Sequence, residues 1–223
     1  MNAAHVRPAG VLFDLDGTLL DSAPDLAAAL ERYTRQHGVP MPAYARVRAM
    51  VSAGGSAILR TAWPQASPQR IAELLPGYLE IYAGMLAERS RLFPGIAGLL
   101  DHLDDERLPW GIVTNKIAAL TLPLLQRIGL TPRAGVVVCG DTLARRKPDP
   151  EPLLHACAQL RLAASGCVYV GDDRRDVDAA RAAGMRSIVV GWGYGGGEDP
   201  AEWKPDALVR SVGALRAALE RAA

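Results

Sequence analysis

Val11-Leu12-Phe13-Asp14-Leu15-Asp16-Gly17-Thr18 decides the reading of this chain. Three apolar residues run without a polar break and then meet two aspartates one residue apart. A short continuous apolar run is the pattern of a strand buried on both faces, as in a parallel sheet. Strand side chains alternate, so Asp14 and Asp16 can point the same way at the carboxyl end. Like charges beside buried neighbours are costly unless a cation or a raised pKa relieves them. Gly17 permits a backbone conformation other residues resist and lets a ligand approach closely. The plainer alternative is an acidic strand end leading into a turn.

Further strand-like runs follow the same plan. Trp110–Val113 precedes Thr114, Val136–Val138 precedes Cys139, Val168–Val170 precedes Gly171-Asp172, and Ser187–Val190 precedes Gly191. Ala207–Val209 is a weaker sixth. Helical stripes alternate with them: Leu120, Leu124, Leu125 and Ile128, with Pro123 a kink or an early start; Leu153, Leu154, Cys157 and Leu160; and Val212, Leu215, Leu219 and Ala222. Strands alternating with helices predict an α/β fold with a Rossmann-like parallel sheet.

One interval breaks the rhythm. Residues 16–108 span 93 residues, whereas a crossover needs about a dozen or more. The excess reads as an inserted helical domain. Leu26, Ala29, Leu30 and Tyr33 share one face, begun by Ser22 and Pro24 and stopped by Gly38. Ile71, Leu74, Leu75, Tyr78, Tyr82 and Met85 repeat the spacing, with Pro76 expected to break or kink it. The expected division is a catalytic core of residues 1–21 and 91–223 around a helical cap of residues 22–90.

Composition excludes several classes. Apolar residues are 49% and charged residues 22%, the mix of a globular rather than a disordered chain. Lys plus Arg number 25 against 24 Asp plus Glu, so no nucleic acid or acidic membrane is expected as partner. No apolar run approaches the ~20 residues of a membrane span, and no apolar secretion-signal core opens the sequence, so a cytoplasmic protein is expected. Nothing in the sequence fixes an oligomeric state. Cys139, Cys157 and Cys167 read as buried thiols, and His5, His37, His102 and His155 lack metal-ligand spacing. Gly191, Gly193 and Gly196 fit GxGxxG, but Gly197-Glu198-Asp199-Pro200 offers no helix start for a pyrophosphate. That stretch reads as a flexible loop at the site's rim.

The acids matter by position. Asp172, Asp173 and Asp176 follow the apolar run 168–170, where a helix start would group them, although a plain N-terminal cap is the alternative. In a parallel sheet both acidic clusters reach one rim, where hard oxygen ligands suit Mg²⁺. Thr114, Asn115 and the start of the next helix offer a hydroxyl, an amide and N–H groups to an anion. Lys147, between Arg146 and Pro148, offers a cation, and no Ser or Cys with a nearby His competes as nucleophile. Carboxylates, a metal site, a hydroxyl and a lysine make a kit for phosphoryl transfer through an aspartate.

These four stretches, DLDGT at 14–18, VTN at 113–115, KPDP at 147–150 and GDDRRD at 171–176, resemble in order and spacing the haloacid dehalogenase superfamily of phosphatases. The resemblance implies that Asp14 attacks phosphorus, and that Asp16 protonates the leaving oxygen and later deprotonates water. It implies Mg²⁺ held by Asp14, the carbonyl of Asp16 and Asp172, with Asp176 or Asp173 anchoring its waters or orienting Lys147. Gly17, Thr18, Thr114, Asn115, Lys116 and Lys147 would meet the phosphoryl group. A C1-type cap would contribute Gly54, Gly55 and Ser56 to a small phosphorylated metabolite. Within the superfamily the chain resembles the phosphoglycolate phosphatase-like branch. VSAGGSA (51–57), RLFPG (91–95), GIVTNK (111–116), KPDPEPLLHAC (147–157), VGDDRRDV (170–177) and GYGGGEDPAEW (193–203) are similar to N-acetylmuramic acid 6-phosphate phosphatases. A sugar-phosphate mutase of the same superfamily and a catalytically idle binding scaffold stand as alternatives. Asp16 counts against a dehalogenase, and the length and the order of the acids against a response-regulator receiver.

Overall fold

The computed structural model describes residues 7–197 and 199–220. His5, Glu198 and Ala222, named above, lie outside the described residues. The first apolar run forms β1 (Gly10–Phe13), with every residue buried. Val11 and Phe13 pack into one apolar cluster and Leu12 into another, so the alternating side chains of β1 feed both faces of the sheet. The other strands of this sheet are β4 (Trp110–Val113), β5 (Val137–Val138), β6 (Cys167–Gly171), β7 (Arg186–Val190) and β8 (Ala207–Val209). Their order is β5-β4-β1-β6-β7-β8, and every neighbouring pair is parallel. The order reverses between β1 and β6, and such a switch point opens a crevice beyond the strands' carboxyl ends. Asp14 and Asp172 follow those two strands.

Helices α5 (Ile96–Asp105), α6 (Ala118–Arg127), α7 (Glu151–Leu160), α8 (Arg174–Ala182) and α9 (Val212–Glu220) accompany the sheet. Between β1 and β4 the chain adds α1 (Ala23–Gln36), α2 (Tyr44–Arg48), α3 (Gly55–Ala62) and α4 (Pro68–Ala83). Leu26, Ala29, Leu30 and Tyr33 of α1 are buried, as are Ile71, Leu74, Tyr78 and Tyr82 of α4. The Tyr78 hydroxyl donates to the Leu26 carbonyl at 3.1 Å.

Pro76 does not break α4, which runs from Pro68 to Ala83. An interior proline costs a helix about 3 kcal/mol or more. Burial of Ile71 and Leu74 stabilises by about 1.5–3 kcal/mol each, and both halves of the helix are held on one face. Pro123 likewise lies within α6. Met85, counted in the α4 stripe, lies beyond the helix yet is buried. The three cysteines are buried and free. His37 packs against the Tyr33 ring at 4.3 Å, and His102 Nε2 lies 3.3 Å from Glu220.

A feature absent from the sequence reading closes the base of the helical segment. β2 (Leu20–Asp21) pairs antiparallel with β3 (Arg91–Leu92). Beside it the Asp25 carboxylate is fully buried. It accepts from Arg89 N at 2.7 Å, Ser90 N at 3.0 Å and Ser90 Oγ at 2.5 Å. This one side chain ties the outgoing chain to the returning chain. Asp25→Ala strands three donors, each worth about 1–3 kcal/mol when left unpaired, so urea unfolding should register a loss of about 3 kcal/mol or more. A loss below about 1 kcal/mol would contradict that role.

Candidate active site

The strand ends bring four ionisable groups into one buried cluster. Asp14 follows β1, and its amide donates to the Val170 carbonyl at 2.9 Å. Asp172 and Asp176 flank the start of α8, and Lys147 arrives on the loop before α7. All four are buried. Lys147 Nζ lies 3.0 Å from Asp14 Oδ1 and 2.7 Å from Asp176 Oδ1. It also donates to Tyr169 Oη at 2.6 Å, and that hydroxyl donates to the Val113 carbonyl at 2.7 Å. Asp176 Oδ2 accepts from the amides of Asp172 at 3.1 Å and Asp173 at 3.0 Å. The sequence left open whether Asp173 or Asp176 meets Lys147; here Asp176 does.

Asp172 takes hydrogen bonds from three directions: Thr18 Oγ1 at 3.3 Å, Ser52 Oγ at 3.0 Å and Tyr194 N at 2.8 Å. Its carboxylate fits only because its neighbours lack side chains. A Cβ on Gly17, whose φ is +88°, would come within 2.2 Å of Asp172 Oδ2, and one on Gly193 within 2.3 Å of Asp172 Cβ. Gly193 is thus explained by packing against an aspartate, not by a dinucleotide.

One oxygen each of Asp14, Asp172 and Asp176 lies within 4.8 Å of the others, an arrangement that could hold a metal ion. The donor set fits a hard divalent cation. Asp14 Oδ1 is buried and faces the Lys147 ammonium at 3.0 Å. The Asp14 carboxyl is raised to about 7 as the balance of burial, which raises it most, of Lys147, which lowers it, and of Asp176 and Asp16, which raise it. Asp172 is raised well above the usual carboxylate value by burial, then by Asp14 and Asp176. Burial alone would lower Lys147, but Asp14 and Asp176 together bring it above its ordinary value. One ammonium does not balance the carboxylates around it.

The other expected residues take different partners. Asp173 caps α8, accepting from Arg175 N at 2.9 Å, and pairs with Arg175 Nε at 2.7 Å and Nη2 at 2.9 Å. Burial pushes its carboxyl up, but the Arg175 bonds outweigh this and hold it low. The side chain of Asp16 meets Lys116 Nζ at 3.2 Å and 3.1 Å and accepts from Ser22 Oγ. Lys116, expected on the phosphoryl group, is therefore engaged by a carboxylate. Burial lowers its pKa, while Asp16 and Tyr82 raise it more, leaving it above the ordinary lysine value. Thr114 is buried, with its hydroxyl accepting from Lys116 N at 3.2 Å, and Asn115 Nδ2 donates to the Lys147 carbonyl at 2.9 Å. The first amide of α6, expected to serve an anion, donates to Asp141 at 2.7 Å.

A cavity of about 320 Å³ opens beside the cluster. Asp14, Asp16, Thr114, Asn115 and Lys116 line one side, and Gly54, Gly55, Ser56, Leu75 and Leu79 line the other. The helical segment and the strand ends thus enclose one space.

Several residues escaped the sequence reading. Arg175 also donates to the Ser52 carbonyl, joining α8 to the loop between α2 and α3. Arg48 donates to the carbonyls of Trp192 and Gly193, each at 3.3 Å, and lies 4.7 Å over the Tyr194 ring. The Tyr194 hydroxyl accepts from Ser22 N at 2.8 Å and Ala23 N at 3.0 Å and donates to Asp21 at 2.8 Å. The stretch read as a flexible rim loop is anchored at Trp192–Tyr194 by these bonds. The polar tip of Tyr194 in a glycine run was the available signal.

Residues 11–190 match the family described as haloacid dehalogenase-like hydrolase. The chain is 45% identical over 203 residues to a phosphoglycolate phosphatase of Xanthomonas campestris pv. campestris, covering 91% of this chain and 92% of that one. It is 41% identical over 221 residues to an N-acetylmuramic acid 6-phosphate phosphatase of Pseudomonas aeruginosa, covering 98% and 97%. Its fold matches the crystal structure of a predicted phosphoglycolate phosphatase from Haemophilus somnus with a TM-score of 0.81 at 25% identity, over 93% and 95% of the two chains.

The crowded carboxylates predict a pH response. Folded Asp14 keeps its proton up to about 7, against an ordinary value of 3.8, so between those limits the folded state binds more protons than the unfolded state. With divalent cations chelated, melting temperature should therefore fall as pH climbs across that window. Excess divalent cation should flatten the fall. A chelated protein that gains stability over the same window would contradict the cluster's electrostatics.

Proposed function

Because the chain belongs to the haloacid dehalogenase-like hydrolase family, we propose that it is a Mg²⁺-dependent phosphatase acting on a small phosphorylated metabolite through an aspartyl-phosphate on Asp14. The observation that carries this reading is the buried Asp14 carboxylate, with one oxygen against the Lys147 ammonium and the carboxylates of Asp172 and Asp176 beside it, at the wall of a ligand-sized cavity. Asp14, the carbonyl of Asp16 and Asp172 would hold Mg²⁺, with Asp176 supporting it while fixing Lys147. The cation keeps Asp14 ionised and neutralises phosphoryl charge.

Asp14 attacks phosphorus in line with the departing oxygen. Lys147, Thr114 and Asn115 offset charge on the transferring oxygens, aided by Gly17 and Thr18. Asp16 gives a proton to the leaving oxygen and takes one from the water that cleaves the aspartyl-phosphate. Asp173 serves the start of α8 and Arg175 rather than the reaction.

Residues 22–90 are proposed to be a cap over the core of residues 1–21 and 91–223. Support comes from the cavity's two-sided lining and from the paired strands β2 and β3 at the junction. Gly54, Gly55 and Ser56 then face the leaving group. The cavity's 320 Å³ lies at the low end of the roughly 300–1,000 Å³ of small-ligand sites and fits a small phosphorylated metabolite. The similarity of residues 51–57 and 193–203 to N-acetylmuramic acid 6-phosphate phosphatases favours a sugar phosphate. No helix among the described residues is long and apolar enough to cross a membrane, and the proposed place of action is the cytoplasm.

Asp14→Asn should lower phosphate release by at least about a thousandfold while the protein stays folded. Chelation should silence the wild type, and Mg²⁺ should restore it. Comparing kcat/KM for 2-phosphoglycolate and N-acetylmuramic acid 6-phosphate tests the substrate, with the sugar phosphate expected to be preferred. A preference for phosphoglycolate would overturn the sugar assignment, and inertness toward every phosphomonoester would overturn the phosphatase.

A further inference from the structure

Lys116 is a buried cation that the proposed phosphoryl chemistry does not use. Its ammonium meets both oxygens of Asp16, at 3.2 Å and 3.1 Å, and the two side chains are only 9% and 14% exposed. Ser22 Oγ holds one of the same oxygens from another direction. Behind the ammonium lies the ring of Tyr82 at 4.8 Å, a cation–π contact from α4. The backbone of Lys116 is pinned as well: its amide donates to Thr114 Oγ1 at 3.2 Å, and its carbonyl accepts from Gly140 N at 2.8 Å and Thr121 Oγ1 at 3.2 Å. A lysine fixed at both ends has little freedom to swing toward a phosphate. The site's two buried lysines divide their work, with Lys147 on Asp14 and Asp176, and Lys116 on Asp16.

We propose that Lys116 is a positioning residue that holds the Asp16 carboxyl group where it can pass a proton to the leaving oxygen, and that it does not bind the transferring phosphoryl group. The proposal rests on the phosphatase reading above. As the bond from Asp14 to phosphorus forms, the bond from phosphorus to the leaving oxygen breaks and its electron pair stays on that oxygen. The Asp16 proton moves onto the same oxygen, and Asp16 is left as a carboxylate facing the ammonium already beside it. In the second half, water attacks phosphorus, its proton moves to Asp16, and the bond to Asp14 breaks to release phosphate. Lys116 keeps the carboxyl group in one orientation through both transfers.

The signature is dependence on the leaving group. An alkoxide needs the proton, whereas p-nitrophenolate departs without it. In a single turnover, Lys116→Met should slow alcohol release from a sugar or alkyl phosphomonoester by about 100-fold or more, the scale of a lost general acid. The same variant should slow release of p-nitrophenolate by less than about fivefold, while hydrolysis of the aspartyl-phosphate, the step both esters share, slows equally for the two. Lys116→Gln, which keeps a donor without the charge, carries the same comparison if the Met variant does not fold. Equal losses in the two release rates, or losses confined to KM, would overturn the proposal and return Lys116 to phosphate binding or to structure. A wild type inert toward both esters would instead overturn the phosphatase reading itself, and this proposal with it.

Discussion

Where β1 and β6 end, the ammonium of Lys147 stands among the carboxylates of Asp14, Asp172 and Asp176, all of them buried. Buried charges of one sign cannot be gathered without a counter-charge, and here a single lysine is set against three acids. Burial first, and then the neighbouring carboxylates, raise Asp14 to about 7 and Asp172 well above its ordinary value. Much of the surrounding structure serves to hold this costly arrangement. The parallel sheet places β1 beside β6, Tyr169 receives Lys147 from within the sheet, and Asp176 is fixed by two amides at the start of α8. Gly17 and Gly193 leave the space that Asp172 occupies. A divalent cation held there would supply the missing charge, so the proposed metal loading and phosphoryl transfer draw on one constraint.

The helical segment meets this cluster at defined points. Ser52 reaches Asp172 itself, Arg175 grips the backbone of Ser52, and Arg48 lies on the Tyr194 ring. Tyr194 joins the junction at Asp21–Ala23 to Asp172 through its hydroxyl and its amide. Any movement of the helices relative to the sheet therefore changes hydrogen bonds at a prospective metal ligand. The loop between α2 and α3 and the acids at the strand ends are parts of one bonded network.

The sheet was legible because its strands are continuous apolar runs, which only burial on both faces explains. The six runs read from the sequence became its six strands. β2 and β3 were not legible, since two-residue strands carry no periodicity and pair across 69 intervening residues, 22–90. Pro76 leaves α4 unbroken because its local cost is outweighed by burial on either side of it, so of the break or kink expected there the break does not occur. In the site, the spacing of Asp14, Asp16, Asp172 and Asp176 pointed to one rim, and the parallel sheet delivers them there. Which carboxylate each lysine meets was not legible. Lys116 and Asp16 are 100 residues apart, and their pairing depends on how two loops face each other across the crevice. Tyr194 and Ser52 act through hydrogen bonds to partners far away in the sequence, and a lone tyrosine or serine in a glycine-rich stretch carries no pattern that names those partners.

The proposed chemistry turns on phosphorylation of Asp14, which acid-quenching a single turnover of a phosphomonoester with Mg²⁺, followed by peptide mass spectrometry, would detect. A transient phosphoryl group is expected on the peptide carrying Asp14, formed and lost within the turnover. Turnover with no phosphorylated peptide at any time, or with the group on another residue, would contradict it.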